Sequence, residues 1–237
     1  MPEQVLDMDI RISPRNVLRY LLAMIALLLL ANCLGIAWFM VFPPKVQMPL
    51  LVNLFNFNLE ANVPTLYSAC QLVLTSLLLL SVGVARRKRQ QGCIAWKLLA
   101  FIFLFLAIDE ASSIHEQLTV VTRQALGTSG YLFFAWVIPY GIATLLLLLL
   151  FAKFLIDLPP RTRMLFLFSA AIFLGGTLGL EMLGGRYVTS PGATELTYSV
   201  IYTLEEVLEM VGIALFIYAI LDYMTTTFSR MSYVVTA

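Results

Sequence analysis

Long apolar runs decide what this chain can fold into. From Val17 to Phe42 the only charge is Arg19, and from Tyr131 to Ile156 the only charge is Lys153. A bilayer's hydrocarbon core is about 30 Å thick and is crossed by about 20 apolar residues of helix. Four further segments reach that length: Pro64–Ala85, Ile94–Val121, Met164–Leu183 and Thr197–Met224. With 60% hydrophobic residues and 12% charged ones, too little polar surface remains to cover a soluble domain. The expectation is an all-α, polytopic membrane protein, a six-helix bundle forming one domain over residues 1–237. No internal repeat or domain linker interrupts it.

Lysine and arginine set the expected orientation, because they are retained on the cytoplasmic side. Arg11, Arg15 and Arg19 open the first span, and Arg86, Arg87, Lys88, Arg89 and Lys97 join the second to the third. Lys153, Arg161 and Arg163 join the fourth to the fifth, and Arg230 follows the sixth. The opposite loops hold only Lys45, Arg123 and Arg186. Both termini are therefore expected in the cytoplasm, as an N-terminal segment 1–16 and a tail 225–237, with the protein in an inner or plasma membrane. The stretch 43–63 is too polar to cross and is expected to lie along the outer interface. The apolar run ending at Cys33 resembles a leader, but it continues to Phe42, which fits an uncleaved first span better than a short cleavable core.

Several functions are excluded early. The net charge is +1, and no basic and aromatic surface pattern supports nucleic-acid binding. No glycine-rich loop follows a strand. Cys33, Cys70 and Cys93 are odd in number and have no metal-ligand spacing.

The third span ends on FLAIDEASSIHEQL, which holds Asp109, Glu110, Glu116 and the single histidine, His115. At 1.5 Å per residue, Asp109 lies roughly 22 Å above the span's inner end. The fifth span places Glu181 at about 27 Å, and the sixth places Glu209 and Glu205 at about 20 and 26 Å. Acids from three spans thus fall in one outer layer. Tyr198, Tyr202, Glu205, Glu209 and Gly212 share a helical face, with Glu206 beside it. Asp109 and Glu116 fall about 20° apart on an unbroken helix. Ala171, Gly175 and Gly179 recur every four residues, a spacing that lets helices approach closely.

Ionisable groups within a membrane point to function, because inserting each costs roughly 2.5–3.5 kcal/mol at the helix centre. Carboxylates with one imidazole suit a hard or borderline divalent ion. The ligand pool is Asp109, Glu110, His115, Glu116, Glu181, Glu205, Glu206 and Glu209. Its members would bind a divalent metal or other cation in a pocket open to the outer side and walled by Tyr198 and Tyr202. The Glu-x-x-His pairs of two-metal bundles are absent. Three readings compete: a cation-binding pocket, a metal-dependent membrane oxidoreductase, and an accessory subunit whose acids pair with Arg123 and Arg186 or face water. Beyond the lipid bilayer, the last reading implies a membrane-protein partner or a second copy. Glu60 and Glu195 read as headgroup-level acids outside the pool.

Overall fold

The structure is a computed structural model that describes residues 12–42 and 50–228. The chain runs α1 (Pro14–Val41), α2 (Leu50–Leu54), α3 (Val63–Lys88), α4 (Ile94–Ser112), α5 (Ile114–Leu126), a 3-10 turn (Gly130–Leu132) and α6 (Val137–Asp157). It continues through α7 (Pro160–Leu174), a π turn (Gly175–Leu180), α8 (Glu181–Val188) and α9 (Glu195–Thr227). Among the described residues there is no strand. Residues 1–11, the Pro43-Pro44 stop, Lys45, and the tail from residue 229 with Arg230 lie outside this description.

Five helices are long and apolar enough to cross a membrane: α1, α3, α6, the continuous Pro160–Val188 helix, and α9. The protein is therefore a multi-pass membrane protein surrounded by lipid. The expected third span is not one helix. It breaks at Ser113, leaving α4 with 19 residues and Lys97, Asp109 and Glu110 among them. Elsewhere the ends move by a few residues, for reasons visible in the sequence. Asn62 accepts a hydrogen bond from the Thr65 N–H at 3.1 Å and starts α3 with Pro64 in its first turn. Thr194 caps α9 through the Thr197 N–H at 3.3 Å. Both satisfy donors that a helix start leaves orphaned.

Helix α9 is the centre of the bundle and packs against α1, α3 and α7. At one end of the bundle Trp96 stacks on Tyr223, with ring centroids 4.8 Å apart, and meets Phe154 and Phe166 edge-on. Arg86 donates to the Tyr223 hydroxyl at 2.6 Å, and Arg161 forks onto both Asp222 oxygens at 2.9 and 3.1 Å. The basic loops thus gather where α3, α6 and α9 finish and α4 and α7 begin. The acids lie towards the other end.

Two glycines set the α7–α9 spacing. A Cβ on Gly212 would stand 2.7 Å from the backbone nitrogen of Phe173, and one on Gly176 would stand 2.9 Å from the carbonyl oxygen of Glu205. The Gly175/Gly179 pair of the expected ladder touches nothing within 4 Å, and Ala171 is exposed beside it. Four-residue spacing defines a stripe but not the side on which a partner sits. Here the stripe faces outward.

Asn32 ties the loop between α2 and α3 to the bundle. Only 2% exposed, it donates to Thr203 Oγ1 at 2.9 Å and accepts the Phe57 N–H at 3.0 Å. Asn32→Leu is expected to cost about 1–3 kcal/mol by stranding both partners. A thermal melt in detergent would show it, and an unchanged midpoint would mean that water replaces the side chain.

Helix α6 is held differently from the rest. Its backbone packs less closely on the other long helices than α1, α3 and α7 do on α9. Side chains hold it at both ends, Trp136 just before its start through Glu181 and Phe154 near its finish against Trp96. Between these contacts it borders a cavity.

Candidate functional site

The site begins with the break in the third span. Ser113 adopts φ 51° and ψ 43°, left-handed backbone that costs a side-chain-bearing residue about 1–2 kcal/mol. Asp109 offsets this. Its Oδ1 accepts the His115 backbone N–H at 2.9 Å, capping α5 from the preceding helix. Its Oδ2 lies 3.3 Å from His115 Nδ1, so one carboxylate fixes both the start of α5 and the imidazole that α5 carries. The expected common face of Asp109 and Glu116 is lost with the continuous helix. The break instead turns His115 and Glu116 towards the α2–α3 loop. Ser112 folds back onto the carbonyl of Ile108, as serines inside helices often do.

There they meet Glu60. One ligand atom from each of Glu60, His115 and Glu116 lies within 4.8 Å of the others. Glu60 was read as a headgroup-level acid, and the structure places it at the mouth of the pocket. Its Oε2 stands 3.5 Å from Thr65 Oγ1, and two residues on Asn62 pins the loop to α3. Although the side chain reaches the surface, the surrounding protein withholds water from it. That pushes its carboxyl above the ordinary range, and nearby His115 pulls it back. The sequence held one signal, an asparagine-rich stretch ending on a helix cap, but nothing that gave its fold.

Behind the mouth lies a cavity of about 360 Å³, and all eight expected pool residues line it together with Glu60. On the α8 side, Trp136 Nε1 donates to Glu181 Oε1 at 2.7 Å, while the indole packs 5.0 Å from the His115 ring. Glu181 also lies beside Glu205 of α9. The π turn makes this meeting possible. Its hydrogen bonds reach from residue i to i+5, so Gly176 and Glu181 line up, whereas five residues of α-helix would set them about 140° apart. Gly176 touches α9 at Glu205, and Glu181 then points at the same helix. Deeper in, Glu110, Glu206 and Glu209 face one another, with Thr177 beside Glu209. Periodicity in the sequence marked neither Trp136 nor Thr177.

The expected counterions are engaged elsewhere. Arg123 donates to the Phe133 carbonyl at 2.8 Å and stacks over its ring at 3.9 Å. Arg186 donates to Ser190 Oγ at 2.7 Å. Among the described residues, ion pairs join His115 to Asp109, Lys153 to Asp157 and Arg161 to Asp222, and no lysine or arginine pairs with the pool. Internal locking by Arg123 and Arg186 is therefore not what places these acids.

Comparison with known proteins adds a family but no activity. No curated protein matches the chain. No solved structure matches it either. A family model described as a domain of unknown function matches residues 20–223. The cavity, its acidic mouth and the pool residues of all four helices that supply them, α4, α5, α8 and α9, lie within that match, and the chain belongs to the family DUF8692.

Proposed function

We propose that this protein binds a divalent cation at the outer mouth of its cavity, with Glu60, His115 and Glu116 as ligands. The approach of these three side chains to within 4.8 Å of one another carries the reading. Two ligands of one ion, each about 2.0–2.2 Å from it, stand at most roughly 4.4 Å apart. Side-chain rotation of a few tenths of an ångström closes the trio to that range. Asp109 supports the reading as an outer partner. With Nδ1 turned to Asp109, the imidazole presents Nε2, the carboxylate–histidine arrangement common around bound metals. Two carboxylates and one imidazole suit Mn, Fe, Zn or Ca. Glu110, Glu181, Glu205, Glu206 and Glu209 form the acidic floor beneath.

In this reading α4 is the sixth span. Its length suffices for the hydrocarbon core, and its charges lie at its ends. The basic end of the bundle faces the cytoplasm with both termini, in an inner or plasma membrane, so the mouth opens outward. A pocket whose acids only pair or face water is the lesser reading, because no arginine or lysine pairs with them among the described residues.

Elemental analysis of purified protein tests the proposal. Wild type is expected to carry near-stoichiometric divalent metal, and Glu60→Gln and Glu116→Gln to lose most of it while still folding. Wild-type protein that takes up no metal on reconstitution with Mn, Fe, Zn or Ca would refute the site. Retention in both variants would move the ion to the floor, where a Glu206→Gln, Glu209→Gln double variant would find it.

A further inference from the structure

The mouth uses only part of the cavity. Below Glu110, Glu206 and Glu209 the walls turn apolar and run between α4, α6, α7 and α9. Leu106, Phe103 and Leu99 line this arm on one side, and Leu147, Phe151 and Leu155 on the other. From Asp109 to Leu99 the arm extends about 15 Å along α4. It also reaches lipid, since Leu148 of α6 and Leu167 of α7 border it and are 43% and 42% exposed. This gap lies sideways, between α6 and α7, and a membrane-dissolved molecule would enter there.

The head of such a molecule is set by charge. Among the described residues the cavity lining includes no lysine or arginine. Glu206 and Glu209 lie deep within the protein, and the surface they keep is the cavity wall. Glu110 and Glu206 share the cavity lining with Trp136, Tyr140, Tyr198 and Tyr202. The Tyr140 hydroxyl is buried beside Asp109. Buried acids beside aromatic faces favour an ammonium group, through ion pairing and cation–π attraction, and repel a phosphate or carboxylate. The volume of about 360 Å³ lies within the range of small-molecule sites.

We infer that the cavity is a second site, taking a single-chain lipid with a protonated amine head, its ammonium among Glu110, Glu206 and Glu209 and its chain in the apolar arm. This site rests on the cavity and not on the ion at the mouth, so the two fail separately.

The probe is dodecylamine, titrated calorimetrically into metal-stripped protein in phosphatidylcholine nanodiscs, with empty nanodiscs subtracted. Saturable binding at least ten-fold tighter than that of dodecanol or dodecanoate is expected, with butylamine silent over the same range. Thr144→Trp, which fills the arm from α6, is expected to abolish dodecylamine binding and leave metal content at the mouth unchanged. Glu206→Gln, Glu209→Gln is expected to remove the preference of amine over alcohol. Equal binding of dodecylamine and dodecanol by wild type overturns the inference, whatever the variants do. So does undiminished amine binding by a folded Thr144→Trp protein.

Discussion

Gly212→Val is expected to prevent the bundle from closing. The first carbon of any side chain there would stand 2.7–2.8 Å from the backbone and Cβ of Phe173. Backbone cannot rotate aside as a side-chain tip can, so α7 itself would have to retreat from α9. Overpacking a core costs typically 1–3 kcal/mol, and a clash with main chain belongs at or beyond the top of that range. The loss would spread. Gly176 touches α9 two turns further along, and Glu181 reaches Glu205 through the same crossing. Size-exclusion profile and melting midpoint in detergent would read the effect, with Gly212→Ala milder than Gly212→Val. Gly175→Ala is the control. It meets nothing within 4 Å and is expected to be neutral or to gain up to about 1 kcal/mol from helix propensity. A folded Gly212→Val protein melting like wild type would show that α7 and α9 are not held at this distance.

Asp109→Asn is expected to weaken metal binding about 10–100-fold, the usual cost of losing an outer carboxylate partner. The substitution preserves an oxygen for the His115 N–H and so keeps the cap on α5. It removes the charge facing Nδ1 at 3.3 Å, and with it the restraint that points the ring at the mouth. Asp109→Ala would remove cap and charge together. The two variants separate folding from binding: both should lose metal affinity, and only the alanine should also lose about 1 kcal/mol of stability. Competition against a chelator of known affinity gives the first quantity and thermal melting the second. Unchanged affinity in Asp109→Asn would mean that His115 is oriented without it.

The apolar runs and the basic loops made the class of this protein legible, because bilayer thickness and charge retention act on composition. The pool was legible for a related reason: acids are rare enough in such helices that their depths can be compared. What escaped was phase. Ser113 takes a conformation that serine rarely adopts, and nothing local announces it, since Asp109 stabilises it across the break. The π turn adds a residue to one turn of helix, so a 3.6-residue projection from Gly176 sets Glu181 about 140° away. Gly175 and Gly179 looked like a packing stripe because spacing records periodicity and not partners, while the contact belongs to Gly176 and Gly212. The place of Glu60 at the mouth was not legible because a loop has no period to read. Its position depends on Asn32 and Asn62, which hold the loop from two different helices.

The placement of α9 at the centre of the bundle also bears on how the protein is made. It follows α1, α3 and α7 out of the ribosome, yet it is the helix against which all three pack. Until it arrives, those helices sit in lipid without their shared partner, and Asp109, Glu110 and Glu181 have no opposing wall. The pocket is therefore completed in one late event, and a nascent chain that stops short of Glu205 carries Asp109, Glu110, Glu116 and Glu181 without the wall that α9 supplies. Such a chain would hold these carboxylates at the membrane without their opposing partners, at the cost that ionisable groups meet there.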